Sequence, residues 1–249
     1  MAQFSNSYKS HEHSLQVLSL LREHDTFMES ISTIADMGAG ACHDVAWWAN
    51  ATTRDEPNEP LNLNCFAVDR APFVVDFDLP TNVIQVQRNF EKACLPTPVD
   101  VMWCHNSFQY ALNPLNTLKV WNQQINVNGL LYIGLPMLNY HELKKFHAYG
   151  RNNEYFSHSV LSMIYMLAVN GFDCRDAYVR KRKDDAWMHF AVFKTDIAPM
   201  DPAVTNWYDL IEKKLIHDSI VKSLSQYGQI RQEDVFYTWL DKNLYRIED

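Results

Sequence analysis

Apolar residues recur at two different spacings along this chain, and the spacing separates predicted helices from predicted strands. Near the N-terminus they return every three or four positions, which predicts a helix over about residues 12–30. The same spacing predicts later helices over 115–125 and 157–170. Short β-branched or continuously apolar runs predict strands at about residues 32–35, 64–68, 83–86, 99–103, 130–133, 174–181 and 187–195.

The order of these elements predicts the fold class. Strands and helices alternate over most of the chain, which is typical of a parallel sheet covered by helices on both faces. The charged turn at 183–185 joins the last two strands as a hairpin, and Asn128-Gly129 predicts a turn before the fifth strand. We therefore expect an α/β fold: a three-layer αβα Rossmann-like sheet of about seven strands, mostly parallel, with one antiparallel strand near the C-terminal end, plus C-terminal helices. Residues 1–198 would form this domain with its N-terminal helix, and residues 199–249 a C-terminal helical appendage.

Charge and composition exclude several classes of protein. The 249 residues carry 30 acidic and 22 basic side chains, a formal net charge of −8, which disfavours general binding to a phosphate backbone. No run approaches the roughly 18 apolar residues that a membrane span requires, and the N-terminus lacks the apolar region of a secretory signal. The five cysteines form no CxxC motif, so we expect free thiols and a cytoplasmic location.

The most informative segment chemically is the loop Asp36-Met37-Gly38-Ala39-Gly40, which follows the first strand. Glycines at a strand-to-helix turn let the backbone approach a ligand, and the helix N-terminus presents unpaired N–H groups to polar or anionic atoms. Asp69 ends the second strand, where an acid can accept hydrogen bonds from both hydroxyls of a ribose. Together these features indicate a nucleoside-bearing cofactor, whereas the glycine pair alone would also fit a plain tight turn.

Over about residues 8–195 the chain resembles the class I S-adenosylmethionine-dependent methyltransferases. Residues 34–40 are similar to that family's first motif, 66–69 to its second strand, and 100–108 to its fourth motif. The hairpin that ends in 187–193 is similar to the family's last two strands, which the dinucleotide fold of dehydrogenases lacks. The resemblance implies S-adenosylmethionine as the cofactor, held by Asp36, Met37, Gly38, Ala39, Gly40, Asp69, Arg70, Asn89, Phe90, Cys104 and His105.

Two positions depart from the family pattern. Cys42 stands where the third glycine of the first motif is usual, and Asn89 stands where an acid is common. Asn89 could still accept a hydrogen bond from an adenine amino group through its carbonyl oxygen. The departures leave the strength of cofactor binding open.

The residues that would face the methyl acceptor follow from the same resemblance. Methyl transfer from a sulfonium relies on positioning and desolvation, and it needs a base only if the acceptor loses a proton. His105 would act as that base or as an orienting group, and a structural histidine bonded to the backbone is the alternative. No metal site is expected, because His11 and His13 are two residues apart and face different ways on a helix. An acceptor pocket is predicted from Tyr8, His11, Tyr110, Tyr140 and His141. Tyr8 and His11 could fold over the cofactor as a lid, with a solvated helix start as the alternative. The other three are each expected to be a pocket wall rather than a catalyst.

Three functions remain open on the sequence. The leading one is a methyltransferase acting on a small molecule or a protein side chain; the acidic charge argues against a nucleic-acid substrate. The second is a non-catalytic relative that binds a partner, which Cys42 and Asn89 favour slightly. The third is an NAD-dependent oxidoreductase, which shares the glycine loop and the ribose acid but not the terminal hairpin.

Overall fold

The computed structural model describes residues 2–53, 55–136, 158–181 and 187–230, which form one seven-stranded sheet packed between helices. The strands are β1 (Thr33–Met37), β2 (Asn64–Asp69), β3 (Val83–Gln87), β4 (Val99–His105), β5 (Ile125–Pro136), β6 (Phe172–Lys181) and β7 (Trp187–Lys194). The helices are α1 (Ala2–Arg22), α2 (Asp25–Ser30), α3 (His43–Ala49), α4 (Pro114–Gln124), α5 (Val160–Val169), α6 (Trp207–Glu212) and α7 (Asp218–Tyr227). A short 3₁₀ helix, Phe108–Tyr110, follows β4.

The strands lie in the order β3-β2-β1-β4-β5-β7-β6 across the sheet. Neighbours from β3 to β5 are parallel, and β7 is antiparallel to both β5 and β6. The predicted fold class is therefore confirmed, including the antiparallel strand near the C-terminal end. The strand order reverses at β1, which has β2 on one side and β4 on the other, and open α/β sheets bind ligands beyond the carboxyl ends of the strands at such a switch point.

Two hydrophobic cores lie on opposite faces of the sheet. One contains Trp48, Trp103 and Tyr132 together with residues of α1, α2 and α3. The other contains Met102 and Cys104 together with residues of α4, α5, α6 and α7. Successive side chains of β4 thus alternate between the faces, as a strand requires.

The predicted N-terminal helix over 12–30 is wrong in its extent. The structure has two helices there: α1 begins at Ala2 and ends at Arg22, and α2 begins at Asp25. His24 separates them, with φ −108° and ψ 73°, outside the helical region. Both helices turn apolar residues towards the same core, so the apolar spacing continues across the break and could not reveal it.

The predicted turn at Asn128-Gly129 is also wrong, because both residues lie inside β5. Asn128 has φ +66°, and the register between β4 and β5 shifts between Val99 and Val101. These features describe a β-bulge, which uses the same turn-type residues as a loop. An added Cβ at Gly129 would lie 2.9 Å from the carbonyl oxygen of Asp100, which explains the glycine.

The helices predicted after residue 206 are present as α6 and α7, and they pack on the core of the sheet. Leu210, Ile220 and Leu224 are buried there. Ile216 forms an isolated parallel bridge with Cys174 of β6. A domain boundary at residue 198 stays a prediction, and residues 231–249 lie outside the described residues. Within the described ranges, no helix is long and apolar enough to cross a membrane.

Candidate functional site

The loop after β1 is fixed against the end of β2 by its own backbone. The N–H groups of Gly38 and Ala39 both donate to the carbonyl oxygen of Val68, at 2.7 and 3.0 Å. Gly38 and Gly40 have φ of +85° and +52°, in the region that side chains disfavour. The glycine pattern in the sequence therefore corresponds to a real backbone requirement at the switch point.

Gly38 is required for a second reason, which is the close approach of the segment after β4. A Cβ added at Gly38 would lie 2.2 Å from Oγ and 2.4 Å from Cβ of Ser107. The Ser107 hydroxyl donates to the carbonyl oxygen of Gly38 at 3.0 Å. Gly40 differs, because a Cβ added there would meet nothing within 4 Å.

Cys42 adopts the backbone conformation for which the family's third glycine is suited. It precedes α3 with φ +65° and ψ 19°, the left-handed region. Its side chain is fully buried, and burial, followed by the charge of Asp36, raises the pKa of the Cys42 thiol to about 12. Cys42 therefore has a strained backbone conformation, and its buried thiol is unreactive.

Asp69 joins the ends of β1 and β2. Its Oδ2 accepts a hydrogen bond from the Gly40 N–H at 3.0 Å, and its Oδ1 accepts one from the Ala71 N–H at 2.8 Å. Each carboxylate oxygen has a further lone pair, and the side chain is half-exposed. The carboxylate is thus held in place with acceptor capacity left for hydroxyl groups.

Two further acids lie beneath the loop in different states. Asp44, at the start of α3, accepts hydrogen bonds from Ser14 Oγ at 2.6 Å and Trp103 Nε1 at 2.8 Å, and it contacts Nδ1 of His11. Burial acts to raise the pKa of Asp44, but the hydrogen bond from His11 and the nearby imidazole of His105 outweigh it and lower that pKa. Asp44 is therefore the ionised acid, and it ties α1 to the sheet.

Asp36 is the opposite case. Burial, followed by the charges of Asp44 and Asp69, raises the pKa of the Asp36 carboxyl well above its ordinary value. A buried acid with a strongly raised pKa at a strand end is typical of functional sites.

Replacing Asp36 by asparagine is expected to raise the free energy of unfolding at neutral pH. Because the folded state resists ionisation of Asp36, its stabilising effect is complete below the ordinary value of 3.8 and is lost as the pH rises. The advantage of asparagine should grow by about 1.4 kcal/mol per pH unit until the folded-state pKa is passed. Urea unfolding at pH 4.5 and 7.5 measures it, with exposed Asp196→Asn as the control; a gain that does not change with pH would contradict the assignment.

The end of β3 leads into a segment that is organised by Glu91. Its Oε2 accepts hydrogen bonds from the N–H groups of Leu112 and Asn113, at 2.9 and 3.2 Å. The side-chain oxygen Oδ1 of Asn89 accepts from the Glu91 N–H at 3.0 Å, and Phe90 is buried against Trp121. Asn89 thus lies just beyond the carboxyl end of β3, on the side of the sheet where the cofactor is expected, whereas the Phe90 side chain belongs to the core.

His105 ends β4 and lies among aromatic residues. Its Nδ1 is 2.9 Å from the hydroxyl of Tyr132, and that hydroxyl is 2.7 Å from Nδ1 of His189. His105 is 7% exposed. Cys104 points to the opposite core, fully buried, and burial raises its pKa well above the ordinary value, so any ligand contact from Cys104 would come from its backbone.

The other predicted site residues are spread over several segments. Arg70 is exposed after β2, and Tyr110 is half-buried at the end of the 3₁₀ helix. Tyr8 lies in α1, its side chain outside the described residues, as are Tyr140 and His141 altogether. His11 packs against Asp44 and lines a cavity of about 320 Å³ between α1 and α3, together with Arg22, His43, Ala46, Trp47, Asn50, Ala51 and Thr52.

Sequence reasoning missed five polar residues that organise this region: Asp44, Glu91, Ser107, Tyr132 and His189. Two of them carried a local signal: Asp44 follows the glycine loop at the start of the predicted helix, and Ser107 lies in the segment 100–108 that resembles a family motif. Within the described ranges, no group of three or more histidine, cysteine or acidic side chains could hold a metal ion.

Comparisons with known proteins find the fold and not a sequence family. No family model matches the chain, and neither does any curated protein sequence. An O-methyltransferase family protein from Burkholderia thailandensis matches 78% of this chain and 60% of its own, at 12% identity and a TM-score of 0.55. A second match comes from the complex between the Haloferax volcanii Trm112 methyltransferase activator and a methyltransferase. It covers 70% of this chain and 89% of that chain, at 13% identity and a TM-score of 0.53.

A third solved structure contains ligands of its own. It is 1,6-didemethyltoxoflavin-N1-methyltransferase from Burkholderia thailandensis with bound 1,6-didemethyltoxoflavin and S-adenosylhomocysteine. The match covers 77% of this chain and 87% of that protein, at 13% identity and a TM-score of 0.50. The chain therefore has the fold of the class I S-adenosylmethionine-dependent methyltransferases.

Proposed function

We propose that this chain is an S-adenosylmethionine-dependent methyltransferase whose cofactor lies at the β1–β4 switch point. The observation that carries the proposal is the conjunction of Gly38, Gly40 and Asp69. The two glycines turn left-handed beyond β1, and the carboxylate of Asp69 is hydrogen-bonded to the Gly40 N–H. This arrangement lies at the edge of the sheet where open α/β folds bind nucleosides.

The residues present fit such a cofactor. The space beside Gly40 is open, so a ligand can contact the loop backbone there. Asp69 would accept hydrogen bonds from the two ribose hydroxyls, and Asn89 and the backbone of Phe90 would flank the adenine. The bound cofactor supplies a methyl group on a sulfonium, and His105 together with the backbone of Cys104 would border that end.

Asp36, Met37 and Ala39 complete the proposed cofactor cradle in a supporting role. Met37 is fully buried at the end of β1, so its side chain supports the loop from below. Asp36 is buried beside Asp44 and Asp69, and an incoming ammonium group would favour its ionised form. Arg70, which is exposed beside the ribose acid, is assigned to the rim of the site.

The two other functions make different use of the same loop. A dinucleotide-binding dehydrogenase has the sheet order 3-2-1-4-5-6, and the antiparallel β7 between β5 and β6 departs from it. A non-catalytic binding module is favoured by two departures from the family pattern, the strained Cys42 at the third glycine position and Asn89. The methyl acceptor is proposed to be a small molecule or a protein, and the neighbour solved with the Trm112 activator makes a protein partner worth testing. A cytoplasmic location stays a prediction.

Thermal melting with three ligands in parallel separates these functions. S-adenosylmethionine and S-adenosylhomocysteine are each expected to raise the melting temperature by roughly 5 °C or more at about 100 times their dissociation constant. NAD should leave the melting temperature unchanged. Stabilisation by NAD alone would favour the oxidoreductase, and stabilisation by none of the three would favour the non-catalytic module.

A further inference from the structure

A row of three hydrogen-bonded side chains crosses the sheet at the carboxyl end of β4. The Tyr132 hydroxyl is 2.9 Å from Nδ1 of His105 and 2.7 Å from Nδ1 of His189. His189 is 2% exposed and His105 7%, so both rings are buried, and the Nε2 atom of His105 is buried with them. The three residues come from β4, β5 and β7, which are adjacent strands.

The surrounding structure holds this row in one geometry. The rings of His105 and Tyr132 are 6° from parallel, and those of His105 and His189 are 17° from parallel. Tyr132 also stacks on Trp103 with ring centroids 3.6 Å apart. A Cβ added at Gly134 would lie 2.2 Å from Nδ1 of His105 and 2.8 Å from the Tyr132 hydroxyl, so the glycine leaves the room that the row occupies.

The hydrogen-bond inventory of the row limits how it can be protonated. A phenol hydroxyl has one proton to donate, so it can donate to only one of the two Nδ1 atoms. The other Nδ1 must carry a proton and donate it to the phenol oxygen. With both imidazoles neutral, one ring is therefore protonated on Nδ1 and the other is not.

We propose that His105, Tyr132 and His189 form a relay that shares a single proton, and that the relay receives a proton from the methyl acceptor. This rests on the proposed methyltransferase function. His105 is the base that would meet the acceptor, and Tyr132 and His189 are positioning residues that act through it.

An acceptor that carries an O–H or N–H group loses its proton to the row during methyl transfer. The acceptor atom forms a bond to the methyl carbon while the bond from that carbon to sulfur breaks, and sulfur keeps the electron pair as a neutral thioether. The acceptor proton goes to Nε2 of His105, an atom that is buried in the free protein and that the bound acceptor must reach. The Nδ1 proton of His105 moves to the Tyr132 oxygen, and the Tyr132 proton moves to Nδ1 of His189, which becomes the imidazolium.

The charged groups around the row whose side chains the structure describes come from three elements. Asp44 on α3 interacts with the imidazole of His105, and His11 on α1 contacts Asp44. Asp36 on β1 lies in register with Trp103, two residues before His105. The ionised Asp44 favours a positive charge on the row.

Nitrogen-15 NMR of the histidine rings in the free protein tests the relay without an acceptor. At high pH, one of the two rings should be protonated on Nδ1 and the other should not. As the pH falls, both rings should change together at one midpoint, because they share the added proton. The exposed ring of His24 is the reference in the same spectrum.

Tyr132→Phe keeps the aromatic stack and removes the hydroxyl. The difference in Nδ1 protonation between the two rings and their common midpoint should then both disappear. Tyr165→Phe is the matched control, because it removes a hydroxyl that donates at 2.7 Å to the Thr205 carbonyl far from the row. His189→Asn retains a group near the Nδ1 position but cannot take up a proton, so His105 should then titrate alone. If only one ring responds in the wild type, or if Tyr132→Phe leaves the spectra unchanged, the row is a fixed structural contact and the relay is overturned.

Adding S-adenosylhomocysteine distinguishes failure of the relay from failure of the proposed function. If calorimetry shows binding, the Nε2 signal of His105 should shift, and an unchanged signal would overturn the role of His105 at the acceptor. If calorimetry shows no binding, the methyltransferase proposal and the acceptor role of His105 fail together. The NMR titration of the free protein then decides separately whether the three residues share a proton.

Discussion

Replacing Asp69 by alanine is expected to weaken binding of S-adenosylmethionine and S-adenosylhomocysteine by about 100-fold or more. A hydrogen bond to a charged acceptor contributes about 1.5–3 kcal/mol, and the proposed ribose contacts use two of them. Losing two such bonds amounts to at least about 3 kcal/mol, which is more than a factor of 100 in the dissociation constant. Isothermal titration calorimetry of the variant and the wild type measures the change.

Two control variants make this result specific. Asp196→Ala removes an exposed acid that follows β7, at the opposite end of the sheet, and should bind the cofactor like the wild type. Asp69→Asn keeps one acceptor oxygen and should fall between the alanine variant and the wild type. Because Asp69 also accepts from the Gly40 and Ala71 N–H groups, thermal unfolding must show that Asp69→Ala is folded. Unchanged affinity in a folded Asp69→Ala would remove the ribose acid from the account.

Replacing Gly38 by alanine is expected to cost about 3 kcal/mol or more of unfolding free energy. Alanine at φ +85° is strained by roughly 1–2 kcal/mol, and its Cβ would overlap Ser107, 2.2 Å from Oγ. Ser107 lies between β4 and the 3₁₀ helix, so its backbone cannot withdraw without disturbing both. Urea unfolding measures the loss.

Gly40→Ala is the matched control, because it shares the left-handed conformation but meets no atom within 4 Å. It should cost only the backbone strain of about 1 kcal/mol, while still reducing cofactor affinity by filling the open space beside the loop. Ser107→Gly removes the atoms that clash, so Gly38→Ala combined with Ser107→Gly should recover the steric part of the loss. A double variant as unstable as Gly38→Ala alone would show that the close approach to Ser107 is not the cause.

The fold could be predicted from local patterns because most elements have one unambiguous period. The buried strands are short apolar runs. The apolar residues of α5 recur at helical spacing, and the helix ends before Gly171, which has φ +81°. The two errors arose where one local signal fits two structures. Asn128-Gly129 suits a bulge as well as a turn, and the apolar spacing of α1 continues into α2 across His24.

The candidate site divides in the same way between local and long-range features. The glycine loop and Asp69 are each next to the end of a predicted strand, so the sequence places them at one edge of the sheet. The contact of His105 with Tyr132 and His189 depends on the register of β4, β5 and β7, and β7 joins β5 only through an antiparallel pairing from 57 residues away. No local period encodes that register, so the row could not be predicted from the sequence.

We propose that the edge of the sheet around Gly38, Gly40 and Asp69 holds the adenosine of the cofactor. A crystal structure of the protein with S-adenosylhomocysteine is the decisive experiment. We expect the ribose hydroxyls within hydrogen-bond distance of the Asp69 carboxylate and the sulfur facing His105. A nucleoside bound elsewhere on the molecule, with Asp69 bonded only to Gly40 and Ala71, would contradict it.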